Sequence, residues 1–436
     1  MIKKLLLFFA ISFVIQSYSQ KITTSSYSLY GIGLQKFRGT VENRSMGGLR
    51  TYTDSIHMNL RNPASYGGEN LGIIPFNNTG RPIKFSLGSS FSNINSKSDI
   101  GSNSTGSLSF DYLALAIPIK KGGFGFGLLP YTAVGYQAES RNSNNDLESQ
   151  FTGEGGLNKV FFGAGYKVYK GLSLGVDLQY NFGNIQNNTV IFRYDEDQLI
   201  QGQSREISRS DLSGLNVNLG LFYKKNLDST LHLISSITYT PKSDLVSKNQ
   251  RVISVVSANA IGQQFQISSL ASDLVSLNLS KTNITLPSRI SFGAGVEKPR
   301  KWFLGAEATF SNTSDFSNVF NNNSALYENS YAYAIGGFYI PNYNSLKSYW
   351  KRIVYRVGIR QEKTGLNING TSINEFGISF GLGLPVGEIQ LLSNANLGFE
   401  FGQRGTTDNN LVQENFFNFN ISLSLNDRWF QKRKFD

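Results

Sequence analysis

Leu172-Ser173-Leu174-Gly175-Val176-Asp177-Leu178-Gln179-Tyr180-Asn181-Phe182 is the stretch that decides the fold class. Leu172, Leu174, Val176, Leu178, Tyr180 and Phe182 form one series, and Ser173, Gly175, Asp177, Gln179 and Asn181 lie between them. A period of two puts the first series on one face of an extended strand and the second on the other. Such a strand has water on one side and lipid or a core on the other. The pattern returns at Leu215, Val217, Leu219, Leu221 and Tyr223, which begin by alternating with Asn216, Asn218 and Gly220. It returns again at Phe417, Phe419, Ile421, Leu423 and Leu425, interleaved with Asn418, Asn420, Ser422, Ser424 and Asn426.

Working outward from these, about fourteen alternating segments can be counted. They fall near 82–92, 107–118, 123–137, 158–168, 171–186, 212–225, 230–240, 286–297, 301–311, 330–340, 350–361, 374–384, 388–403 and 415–427. The connections between them alternate in length. Short ones include Lys120–Gly122, Asn226–Ser229, Lys298–Arg300 and Pro385–Gly387. Long ones lie near 93–106, 138–157, 187–211, 241–285, 312–329, 362–373 and 404–414. The connection from Pro341 to Tyr349 is longer than its class. That parity is the habit of outer-membrane barrels, with short periplasmic turns and longer outer loops. The expected fold is therefore all-β: a transmembrane antiparallel β-barrel of about 14 strands. In the 241–285 loop, the apolar run Val252–Val256 either extends the barrel as a hairpin or meets a partner.

The amino terminus and the composition agree with that compartment. Lys3 and Lys4 precede an apolar run, Leu5–Ile15, broken only by Ser12, and Ser17 and Ser19 place small residues before a cleavage point after Ser19. This reads as a signal peptide over 1–19, an uncleaved anchor being the rival. No later apolar run approaches the eighteen residues of a spanning helix. Charged residues are 16%, aromatics 13%, and cysteine is absent, which excludes disulfides, thiolate metal sites and a lipidated cysteine. The net charge of +11 raises nucleic acid as a partner, yet no basic stripe with interleaved aromatics exists to bind it. Instead Lys120, Lys121, Lys167, Lys170, Lys224, Lys225, Lys298, Arg300, Lys301, Lys351 and Arg352 cluster at short turns. They mark a periplasmic side or are simply solvated ends. Asp146, Glu148, Asp195, Glu196, Asp197 and Asp408 sit in long loops.

Three regions remain: an amino-terminal segment over 20–80, a barrel over 81–430 and a basic tail over 431–436. The first alternates poorly and is too short for a robust core of its own. The lumen of a fourteen-strand barrel has room for it as a hatch. The alternating, aromatic final strand suits recognition by the barrel-assembly machinery, with Phe430 closing it.

The run Arg44-Ser45-Met46-Gly47-Gly48, followed by Asp54, Asn59 and Asn62-Pro63-Ala64-Ser65, resembles the amino-terminal hatch of FadL-type outer-membrane transporters. Tyr30-Gly31-Ile32-Gly33 and Asp427-Arg428-Trp429-Phe430 are similar to a branch of that family found beside type IX secretion systems. The resemblance implies a channel for hydrophobic small molecules or lipids such as long-chain fatty acids. It would be gated by the hatch and would release its substrate sideways into the membrane. The candidate hatch and ligand residues are Arg44, Gly47, Gly48, Asp54, Asn59, Asn62, Pro63 and Ala64. Phe222, Ile234, Phe303, Phe338, Ile340 and Leu392 interrupt the polar faces of their strands; they line an apolar pocket or pack against the hatch. The branch also implies an alternative, a partner or plug subunit of the type IX translocon.

No enzyme, cofactor or metal is expected. His57 and His232 are the two histidines, and a hydrolase would need one of them against a serine. Gly122, Gly125 and Gly127 lie on a strand rather than opening a helix, so they form no dinucleotide loop. Asp195-Glu196-Asp197 lacks the spacing of an EF-hand.

Overall fold

Strands in lipid must bond to one another all the way round, because hydrocarbon offers an open edge no partner. The computed structural model describes residues 23–67, 83–119, 121–194, 200–258, 264–320, 325–386 and 393–427. A two-residue strand, β1 (Leu34–Gln35), belongs to the amino-terminal segment. The wall then begins with β2 (Ile83–Ser98), β3 (Gly101–Ile119), β4 (Gly122–Arg141), β5 (Leu147–Tyr169), β6 (Leu172–Tyr194) and β7 (Ile200–Asn226). The next crossing has two pieces, β8 (His232–Thr240) and β9 (Ser243–Ala258), separated at Pro241. After β10 (Gln264–Ala271) the return crossing is again two pieces, β11 (Lys281–Leu286) and β12 (Arg289–Lys298), separated at Pro287. Proline cannot donate to the ladder, which accounts for both interruptions.

The wall continues through β13 (Trp302–Ser311), the two-residue strands β14 (Ser317–Asn318) and β15 (Leu326–Tyr327), and β16 (Ser330–Tyr339). It ends with β17 (Val354–Ile368), β18 (Thr371–Val386), β19 (Ser393–Arg404) and β20 (Gln413–Asp427). Every neighbouring pair is antiparallel, and β20 returns to β2 from Ile83 opposite Asp427 to Lys97 opposite Gln413. The result is a closed 14-strand barrel.

Burial is inverted relative to a soluble protein. Along β6, Leu174, Val176, Leu178 and Tyr180 are exposed, whereas Ser173, Asp177, Gln179 and Asn181 are buried. The apolar face meets lipid and the polar face meets the lumen contents.

Several connections expected to be long loops are strand instead. β2 and β3 run on to a turn at Asp99-Ile100, β4 and β5 to a turn within 142–146, and 241–285 holds β9, β10 and β11. Above the lipid both faces are wet, so alternation fades while the ladder persists. The strand expected from 350 instead starts at Val354, after a 3-10 turn over Tyr349–Arg352. The leader, Leu392, Asp195-Glu196-Asp197, Arg428 to Phe430 and the basic tail lie outside the described residues.

Candidate functional site

The amino-terminal segment, described over 23–67, sits in the lumen and touches strands around the whole ring. Its backbone approaches where the wall has inward glycines. Met46 lies against Gly336 and Gly358, Ser45 against Gly381, Thr51 against Gly293, Pro63 against Gly175 and Tyr66 against Gly125. A side chain at any of these positions would collide with the segment. In turn, Gly47 and Gly48 adopt φ of 71° and 84°, a region favouring glycine. A Cβ on Gly47 would stand 2.6 Å from the Ile359 carbonyl oxygen.

Polar contacts hold the segment as firmly. Arg44 pairs with Asp111 of β3 at 3.1 Å and donates to Asn420 at 2.9 Å. Arg50 pairs with Glu307 of β13 at 3.1 Å. Arg38 reaches Glu362 and Glu375, which belong to a chain of ion pairs through Arg360, Glu400, Arg404 and Glu414 on β17 to β20. Glu414 in turn accepts from the Ser25 hydroxyl and the Ser26 amide. No single residue in that chain marks it in the sequence, because its members meet only after closure.

The remaining candidate hatch residues brace the segment's own turns. Asp54 accepts the amides of Ile56 and His57 at 2.8 and 2.6 Å and meets His57 Nδ1 at 2.8 Å. Burial works against the Asp54 carboxylate, but the His57 imidazole and these hydrogen bonds outweigh it and hold its carboxyl well below the usual range. Asn59 donates to the carbonyls of Arg50 and Tyr52. Asn62 caps the 3-10 turn Pro63–Tyr66 by accepting the Ala64 amide at 3.0 Å, and Ala64 is buried.

Of the apolar lumen candidates, Phe222, Ile234, Phe303, Phe338 and Ile340 form one cluster with Met46, Leu49 and Ala64 of the segment. Tyr52 packs into it, its ring 4.7 Å from that of Phe303 and 4.9 Å from that of Phe338. In this arrangement they grip the segment rather than line open space. His57 contacts Asp54 and Asn396, and His232 contacts Glu297. Among the described residues neither meets the serine hydroxyl that a hydrolase needs.

The least regular part of the wall is the seam between β3 and β4. Their ladder runs only from Ile119 opposite Gly122 to Leu113 opposite Leu128. Beyond it β3 pairs with β2 and β4 with β5, and the facing edges separate. The amino-terminal segment takes the vacated edge of β4. Leu34 pairs with Ala133 and Gln35 with Thr132, the Lys36 amide donates to the Tyr131 carbonyl at 3.0 Å, and the Gly135 amide donates to Ser28 Oγ at 3.0 Å. Outside this plug lies a cleft of about 750 Å3 between the β2–β3 tip and Gly135–Glu139, with Thr24 and Ser26 also lining it.

Deeper in, a cavity of about 90 Å3 combines apolar Phe37, Leu60, Leu129 and Phe161 with the cations Arg50, Arg61, Lys159 and Arg289. Among the described residues Arg61 and Arg289 form no ion pair. Burial and the adjacent Arg50 charge both push the Arg61 guanidinium well below its ordinary value. Sequence reading missed this group, because its members come from the segment and from two separate wall strands.

Solved structures share this architecture. The chain is 15% identical to the Pseudomonas putida toluene transporter TodX, with a TM-score of 0.58, covering 91% of this chain and 99% of that one. It is 15% identical to the Ralstonia pickettii toluene transporter TbuX, with a TM-score of 0.57 over 88% and 97% of the two chains. A Pseudomonas aeruginosa FadL homologue gives 12% identity and a TM-score of 0.59 over 92% and 100%. At these identities the likeness establishes a shared fold. No curated protein matches the chain. The family model described as BamG matches residues 1–436, its full length, and the chain with this plugged, seamed outer-membrane-type barrel therefore belongs to the BamG family.

Proposed function

We propose that this barrel is an outer-membrane channel for passive uptake of hydrophobic small molecules with an anionic end, long-chain fatty acids being the class that fits. The observation that carries the reading is β1 on the free edge of β4: the segment plugging the lumen is also the piece closing the gap in the wall. Withdrawing it opens a lateral exit and the lumen together. A substrate entering by the outer cleft leaves sideways into lipid, so its apolar part avoids the watery periplasmic mouth. The cavity of Arg61 and Arg289 supports the anionic end, since neither guanidinium has an ion-pair partner among the described residues and a carboxylate would supply one.

The test uses the absence of native cysteine. Directly opposed residues in an antiparallel pair have Cα atoms roughly 4.5–5.5 Å apart, within disulfide range. Leu34→Cys with Ala133→Cys should therefore lock the plug when oxidised. Oleate uptake by proteoliposomes is expected to fall to background in the oxidised protein and to return on reduction. Equal uptake in both states would overturn the gate, and no uptake by the unaltered protein would overturn the channel.

A second reading, a non-enzymatic subunit of an outer-membrane protein assembly such as the type IX translocon, is supported by how completely ion pairs and cluster packing fill the lumen. Stoichiometric recovery of a large translocon subunit in mild detergent, with no bound fatty acid, would favour it.

A further inference from the structure

β7 is 27 residues long, more than twice the roughly 9–11 a tilted strand needs to cross a bilayer. Its Asn226 end lies at a short turn, so its Ile200 end stands beyond the outer leaflet. There β9 pairs with β7 on one side, Gln203 opposite Val256, and with β10 on the other, Phe265 opposite Ser257 and Leu270 opposite Ile253. The three strands form a blade projecting into water. After β10 the chain returns to β9, with the Ser272 amide donating to the Arg251 carbonyl. Among the described residues nothing pairs with the other edge of β10.

That edge is chemically unusual. Every residue from Phe265 to Ala271 is exposed, Phe265 at 55%, Ile267 at 67% and Leu270 at 72%. Ile253 and Val255 of β9 are exposed beside it. Lipid-facing apolar residues are expected on a barrel, but these stand in water. Strands left at an edge are ordinarily guarded by charge or proline. Gln264-Phe265-Gln266-Ile267-Ser268-Ser269-Leu270-Ala271 has neither, and its one irregularity is a bulge between Gln266 and Ser268.

We infer that β10 is a docking edge that accepts an extended, uncharged, alternately apolar segment of another polypeptide by strand addition outside the cell. Main-chain bonds along the free edge would supply affinity, and Phe265, Ile267 and Leu270 would select apolar side chains. A second copy of this chain does not fit. Two barrels in one membrane are related by an axis along its normal, and wall strands tilt by roughly 40° from that axis. The two edges would then cross instead of running alongside each other. Of the chain's own internal stretches outside the described residues, 195–199, 259–263, 321–324 and 387–392 are six residues or fewer. The segments 68–82 and 428–436 adjoin Ile83 and Asp427 at the opposite side. This inference is independent of uptake and gives the assembly reading a surface.

The test is hydrogen exchange on the full chain in lipid nanodiscs, with a synthetic probe copying β9, Arg251–Ala258, carrying added lysines for solubility. Exchange of the 264–271 amides is expected to slow at least tenfold with the probe. No slowing is expected with a probe carrying proline at the Val255 position, nor in the Ile267→Lys, Leu270→Lys double variant. That variant leaves the wall ladders intact, which heat-modifiable gel mobility verifies. Three results would overturn the proposal: slow exchange at 264–271 without probe, slowing that instead tracks protein concentration and so reports a second copy, or equal protection of the double-lysine variant. No slowing at a hundredfold excess of probe would also overturn it.

Discussion

Leu34 stands opposite Ala133 in an antiparallel ladder, on the stretch of β4 that β3 leaves unpaired. The plug is thus continuous with the wall's hydrogen bonding. Lys36→Pro removes the amide that donates to Tyr131 and should loosen the seam without disturbing closure. Faster entry of an apolar fluorescent dye into proteoliposomes, with unchanged heat-modifiable gel mobility, is the expected result.

The Tyr52 ring packs against both Phe303 and Phe338, which also stack on each other at 6.1 Å. Tyr52→Ala should cost about 3–5 kcal/mol, the usual range for emptying an aromatic site. The cavity left is lined by aromatic rings and should bind a small apolar probe that the unaltered protein does not. Thermal unfolding in detergent and fluorescence titration check the two parts.

Gly47 combines a positive φ with close approach to Ile359. Gly47→Ala should therefore destabilise the plug by more than the roughly 1–2 kcal/mol of the left-handed backbone alone. Faster exchange of the amides over 41–48 would register this, while β17 and β18 stay protected.

Asp54 sets an acid limit. Its carboxyl is depressed in the folded protein, so its stabilising effect is complete above the ordinary value near 3.9 and fades as pH falls below that through the folded value. Plug exchange over 50–62 should be flat from pH 8 to about 5 and rise below about 4. Asp54→Asn should show faster exchange even at pH 7, by about 1.5–3 kcal/mol for the lost charged hydrogen bonds.

The wall was legible because lipid on one face and water on the other impress a period of two, as Leu172 to Phe182 show. The same reasoning failed where lipid ends. Val252 to Val256 does lie on the β9 limb of a hairpin, but residue choice does not mark the continuation of β4 and β5 to Arg141 and Leu147 as strand. Within the amino-terminal segment, the Gly47-Gly48 and Asn62-Pro63-Ala64 turns leave a mark on residue choice, because special backbone angles and caps restrict it. The segment's partners leave none. Glu375 on β18 meets Arg38 only because the barrel closes around the segment, and sequence spacing carries no trace of that. The break between β3 and β4 was equally hidden, as a missing pairing changes no residue type.

The ladder joining Ile83 to Asp427 carries one further consequence, for the order of biogenesis. Each other neighbouring pair of the wall joins crossings that follow one another along the chain and can form as hairpins while the polypeptide is delivered. The first and last strands must wait for each other. Yet the piece bearing Arg44, Arg50 and Arg38 precedes the first strand and is anchored to strands all round the ring. Laid in place while the curved sheet is still open, it would meet wall strands as each arrives, and the final zipping would enclose a segment already bound.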